Sequence, residues 1–184
     1  MIARRRFLLG FAAALLTAFG CSSGGDGGTT TPALACIDGG AAAANAVTMT
    51  CGGASDSTTE QVDVVMGGPA VGTTTLRGLN FDVTYVTSNL EFVPAASYTS
   101  PLFPGALVAV ALSNGQPGRV VVSIQKVGGS VVSVGAGQHD VLSLSFRRVT
   151  GATFGPTLLA FENAEATTAS TAISFVIGLA LAYQ

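Results

Sequence analysis

His139, the chain's one histidine, stands beside Asp140 in the stretch GQHDV, where a base and a carboxylate that could orient it are neighbours. General-base chemistry needs both side chains aimed at one proton. Successive side chains on a strand leave by opposite faces, so the pair is badly placed, and His139 reads as a polar residue at a strand entrance. Glu162 and Glu165, in FENAEA, have the chemistry of a glycosidase carboxylate pair. A spacing of three also predicts opposite faces on an extended strand, so both read as solvated strand-end residues. Asp56, Glu60 and Asp63 carry oxygens suited to calcium, but without the dense ligand spacing of a dedicated loop. No serine sits in a strand-to-helix elbow that would present a nucleophile. The expectation is a non-enzyme, with no catalytic residue, no cofactor and no metal.

Binding chemistry has more to work with. Carbohydrate recognition favours exposed aromatic rings, whose faces stack on the apolar side of a sugar. The chain has no Trp, and Tyr85 and Tyr183 fall on the apolar faces of predicted strands. Tyr98 and Phe103, in SYTSPLFPG, are therefore the candidate ligand contacts. The alternative is that both rings pack their loop onto the core.

The three cysteines divide into one and two. Arg4, Arg5 and Arg6 precede an apolar run from Phe7 to Phe19, too short to span a bilayer and shaped as an export signal. The stretch ARRRFLL also resembles a twin-arginine signal. At the end of the run, TAFGC resembles a bacterial lipobox, which implies lipidation of Cys21 as the first mature residue. Phe19 is bulkier than that pattern favours. The following SSGGDGGTTTP has the composition of a flexible tether. Acyl chains contribute roughly 0.8 kcal/mol per buried methylene, enough for several to hold a domain at a membrane without a spanning helix. Ser22 after the cysteine favours the outer membrane by analogy. Cys36 and Cys51 remain, and an even pair in an exported chain reads as a disulfide. A metal site is the rival, but two cysteines without nearby histidines make a poor ligand set.

Past the leader the chain keeps five basic residues against ten acidic, a net charge near minus five that excludes a nucleic-acid partner. Val, Thr, Ser, Gly and Ala dominate, as in an exported β-protein. Period-two alternation recurs. Leu79, Phe81, Val83 and Tyr85 face one way in LRGLNFDVTYV, with Asn80, Asp82 and Thr84 opposite. Val108, Val110 and Leu112 alternate with alanines; Asn114-Gly115 and Pro117-Gly118 then reverse the chain into Val120, Val122 and Ile124. Leu142, Leu144 and Phe146 oppose Ser143, Ser145 and Arg147. The tail ISFVIGLALAYQ sets Ile173, Phe175, Ile177, Leu179, Leu181 and Tyr183 on one face, which predicts one long strand closing a soluble core. The expected fold is all-β: a two-sheet antiparallel sandwich of about nine strands.

The order LRGLNFDVTYVTSNLEFVPAAS, NGQPGRVVVSIQKVG, GAGQHDVLSLSFRRVTGATFGPTLLAFENAEA resembles the cohesin family. No single motif carries the likeness; the order and spacing of several do. The resemblance implies a jelly-roll topology related to carbohydrate-binding modules. Where many cohesins have Tyr-Asp-Pro, this chain has Tyr85-Val86-Thr87, with Ser88-Asn89 left to make the turn. The resulting layout is a signal peptide at 1–20, a tether at 21–32, a disulfide-closed segment at 33–59 and a cohesin-like sandwich at 60–184. The expected function is an envelope lipoprotein, lipid-anchored at the outer membrane, with a non-catalytic module for protein–protein or surface assembly. Its expected partner is a dockerin-like protein; the alternative is a polysaccharide, in binding or breakdown.

Overall fold

The computed structural model describes residues 33–183, apart from 39, 55, 169–170 and 177–178. The expected signal peptide, Cys21, the tether and the side chain of Tyr183 lie outside the described residues. Twelve strands are described: β1 (Leu34–Ile37), β2 (Ala46–Ala54), β3 (Thr59–Gly67), β4 (Thr74–Thr84), β5 (Leu90–Val93), β6 (Leu107–Leu112), β7 (Arg119–Gln125), β8 (Val132–Val134), β9 (Gln138–Arg148), β10 (Thr157–Thr168), β11 (Ser174–Phe175) and β12 (Leu179–Tyr183). They form a sandwich of two sheets. A seven-stranded sheet runs β1-β12-β10-β4-β7-β6, with β8 also on β4; a five-stranded sheet runs β11-β2-β3-β9-β5.

Alternation explains which residues meet. On β4, Leu76, Leu79, Phe81 and Val83 are buried; on β7, Val120, Val122 and Ile124 face the same way. From the other sheet Met49, Val62, Val64, Met66, Leu144 and Phe146 close against them. Each such side chain contributes roughly 1.5–3 kcal/mol on burial, which is what holds the sheets face to face. The β6–β7 hairpin forms as expected, with Ser113 N donating to Arg119 O at 2.9 Å. Gly118 in its turn has φ of 82°, and a Cβ there would lie 2.4 Å from Tyr85 O, so glycine is required on both counts. Leu112, expected to alternate with Val108 and Val110, is 52% exposed at the open end of this edge strand. The Tyr85–Leu90 turn closes without the Asp-Pro pair: Asn89 N and Leu90 N both donate to Val86 O, at 3.0 and 2.9 Å.

Three expectations change. The segment 33–59 is not set apart from the sandwich, because it supplies β1 to one sheet and β2 to the other. Leu34, Val47 and Met49 are core residues, so the core is incomplete without it. The expected Cys36–Cys51 bridge is present and ties these two strands, with Cα atoms 5.8 Å apart. The tail is not one long strand. β11 lies parallel to β2 in one sheet, and β12 pairs with β1 and β10 in the other. Either inner face asks for the same alternation, so period two cannot say which sheet a residue joins. Phe175 meets Phe161 of the opposite sheet edge-on, with centroids 5.5 Å apart, and Phe161 meets Phe81 at 5.2 Å. The strand count exceeds the expected nine because β1, β8 and the divided tail are short.

Candidate functional site

The outward-facing positions of β6, β7, β4 and β10 form one surface. Register places Ala109, Ser123 and Asn80 in one row, and Ala111, Val121, Asp82 and Glu162 in the next. The third row holds Leu107, Gln125 and Gly78, and Arg119 stands opposite Thr84 at the far end.

These side chains are already hydrogen-bonded to one another. Asn80 Oδ1 accepts from Ser123 Oγ at 2.7 Å and from Gln125 Nε2 at 3.3 Å. Asp82 Oδ2 accepts from Arg119 Nη1 at 3.1 Å and from Asn163 Nδ2 at 2.7 Å. The other Arg119 nitrogen, Nη2, donates to Glu162 Oε2. The network therefore crosses three strands and fixes a guanidinium whose side chain is 21% exposed over a carboxylate that is 10% exposed. Open aliphatics share the face: Val121, 39% exposed, stands opposite Asp82, and Leu107, 69% exposed, stands opposite Gln125. Fixed polar groups next to exposed apolar ones suit a protein partner, and a prearranged Arg loses little rotamer freedom on binding.

The two glutamates contradict the expectation of opposite faces. Glu162 pairs with Asp82 and Glu165 with Asn80, so three residues on β10 span two on β4. That is a β-bulge, carried by Asn163 in the left-handed region at φ of 46°. The extra residue restores parity, and both glutamates emerge on the outer face. Neither sits at the strand end, and Glu162 is ion-paired rather than merely solvated. A strand followed by Asn in mid-run was the available sequence signal, since Asn tolerates φ above zero.

Elsewhere, His139 Nε2 lies 3.0 Å from Gly135 O, at the entrance of β9. Among the described residues no three His, Cys, Asp or Glu side chains gather as metal ligands. Asp56 bonds within its own turn, to Thr58 N and Oγ1 at 2.7 Å each, and these bonds hold its carboxyl below the ordinary range. Glu60 faces inward and is buried, which pushes its carboxyl up.

The loop after β5 separates Tyr98 from Phe103. Phe103 is 1% exposed and belongs to the core, so its expected role as a ligand contact is corrected. The loop is pinned there, with Leu102 N donating to Asp140 O at 3.0 Å and Phe103 N to Ser100 O at 3.2 Å. Tyr98 stays half-buried, its hydroxyl accepting from Ala95 N at 2.9 Å, and walls a hollow over β3 and β9.

No family model matches the chain, and no curated protein sequence does. Solved structures do. The sixth cohesin of scaffoldin B from Acetivibrio cellulolyticus, solved in complex with a dockerin, aligns at 16% identity and a TM-score of 0.52, covering 72% of this chain and 94% of that one. The seventh ScaB type I cohesin from Pseudobacteroides cellulosolvens aligns at 14% and 0.52, covering 73% and 88%. The cohesin module of a family 33 glycoside hydrolase from Clostridium perfringens aligns at 10% and 0.50, covering 84% and 97%. At such identities the likeness carries fold alone. This chain has the cohesin fold.

Proposed function

We propose that this protein is a lipid-anchored envelope module that holds a protein partner on the outer face of β10-β4-β7-β6 and does not transform it. The observation that carries the reading is the Asp82–Arg119–Glu162–Asn163 network with the neighbouring Asn80–Ser123–Gln125 cluster, prearranged on a face that also exposes Leu107 and Val121. Such a surface offers charge-assisted contacts and apolar area with little ordering left to do. A dockerin-like segment is the partner class we favour, since the Acetivibrio cellulolyticus cohesin of this fold was solved with one. Cys21 and the Gly- and Ser-rich stretch after it would tether the domain to the outer membrane.

The test uses the mature chain, residues 21–184 with Cys21→Ser, oxidised and immobilised. Extract from the source organism's envelope and medium is passed over it, beside variants Val121→Asp and Asp82→Ala. A protein with a dockerin-like segment, held by the native face and lost by Val121→Asp, is the expected result. Polysaccharide retained without protein would replace this reading with the carbohydrate alternative, and equal retention by both variants would place the interface elsewhere. Incorporation of labelled palmitate in cells, abolished by Cys21→Ser, tests the anchor separately.

A further inference from the structure

We propose that the five-stranded sheet carries a second binding site, for a neutral carbohydrate, in the hollow walled by Tyr98. This goes beyond the protein-binding reading and does not rest on it, because the hollow lies on the outer face of the opposite sheet.

The hollow measures about 480 Å3, within the range of about 300–1,000 Å3 usual for small-molecule sites. Its floor is a set of polar side chains held in place by each other. Gln61 Nε2 donates to Asp63 Oδ1 at 3.0 Å and to Ser143 Oγ at 3.3 Å, and Ser143 Oγ donates to the same Oδ1 at 2.5 Å. Asp63 Oδ1 is thus taken up, while Oδ2 meets no donor among the described residues and is left to accept from a ligand. Gly52 makes room for it: a Cβ there would lie 2.6 Å from Asp63 Oδ2. The wall is the Tyr98 ring, fixed through its hydroxyl by Ala95 and backed by the core.

The chemistry of the lining selects the ligand class. Asp63 and Asp140 are its charged groups, and no basic residue lines it, so phosphate and carboxylate ligands are disfavoured. A divalent cation would find two carboxylates, one already engaged, where it needs six or more oxygens. An uncharged ligand rich in hydroxyls fits both parts of the site. Its hydroxyls meet the carboxylate, amide and serine groups, and its apolar face meets the ring.

The experiment is a titration of the 15N-labelled mature chain, residues 21–184 with Cys21→Ser, followed by amide shifts. Cellobiose, maltose, lactose and N,N′-diacetylchitobiose are each added to about 20 mM, with calcium chloride alone as a separate arm. The expected result is saturable movement confined to Gln61, Asp63, Tyr98 and Ser143, with a Kd on the order of millimolar for at least one sugar. Tyr98→Ala should weaken that binding tenfold or more, while Tyr98→Phe, which keeps the ring, should stay within about threefold of native. Ser143→Ala, on β9 rather than in the loop, should also weaken it, and covers the case in which Tyr98→Ala disturbs folding. No saturable shift with any of the four sugars overturns the proposal. So does movement of these amides by calcium alone, or native binding by both Tyr98→Ala and Ser143→Ala.

Discussion

Removing the Cys36–Cys51 bridge by Cys36→Ser and Cys51→Ser should cost about 3 kcal/mol, and the loss should be felt first at β1. The sequence separation of the two cysteines is 15, and closing a loop of that size restricts the unfolded chain by about 3 kcal/mol. The local consequence follows from how little else holds β1. It is four residues long, and Leu34 is its one fully buried side chain. That burial is worth roughly 2 kcal/mol. Its ladder to β12 has four positions, and Leu34 N adds one bond to Ser57 O at 2.9 Å. Against these stands the conformational entropy that β1 regains when it is released. With the bridge gone, β1 should detach while β2 to β11 stay folded. β12, which keeps three paired positions with β10, should fray. Urea unfolding should show a lower midpoint, together with a smaller m-value if β1 is already free in the native state. Hydrogen exchange should lose protection at β1 and β12 and keep it on β4, β7 and β9. A midpoint shift worth less than about 1 kcal/mol, with β1 still protected, would refute the idea that the bridge rather than the ladder holds this edge.

Asp82→Ala and Arg119→Ala should each destabilise the chain by about 1–2 kcal/mol, and the double mutant should fall short of their sum by about 1 kcal/mol. Strict additivity in urea melts would mean that the pair contributes little to stability; the Glu162 arm, 48% exposed, should contribute least. Glu60→Gln should stabilise the protein at neutral pH and leave it nearly unchanged in acid. Burial raises the Glu60 carboxyl above its ordinary value of 4.5, so the folded state holds the proton more tightly than the unfolded chain. Stability from this group is complete below pH 4.5 and declines as pH rises through the raised value, a slope that thermal melts of native and Glu60→Gln proteins from pH 4 to 8 should separate. Gly68→Ala should cost more than about 2 kcal/mol, because its Cβ would lie 1.7 Å from Gly135 O, a backbone atom that cannot turn aside. Near-native melting of that variant would show that the strand ends there can separate.

Strands with one wet face and one dry face were legible, since alternation is dictated by the side-chain period alone. β4, β7 and β9 show this: Phe81, Val122 and Leu144 were assigned inward and are buried. The assignments that failed depended on facts that alternation does not contain. Phe103 and Tyr98 lie five positions apart in one loop, and nothing in their spacing tells which ring enters the core. That is decided by backbone bonds from Leu102 and Phe103 to Asp140 and Ser100. Cys36 and Cys51 pair as their count predicts, yet both their strands belong to the sandwich: β1, with four residues, gives too few positions for a period to show, whereas β2 does alternate, with Val47 and Met49 buried.

The Glu162–Glu165 case shows how a local exception produces the candidate site. An unbulged β10 would keep strict parity and send Glu165 toward the sheet interior, where a charge costs several kcal/mol unless paired. The inserted residue removes that conflict, and the residue chosen, Asn163, is one that tolerates the left-handed backbone the bulge requires. Its amide then donates to Asp82 Oδ2, the atom that also receives Arg119. One residue therefore restores the outward direction of β10 and supplies a member of the polar network. Bulges re-aim side chains where a sheet does something other than close a core. Here the re-aimed side chains are those of the face proposed to meet the partner, which is why period two fails on β10 where that face begins.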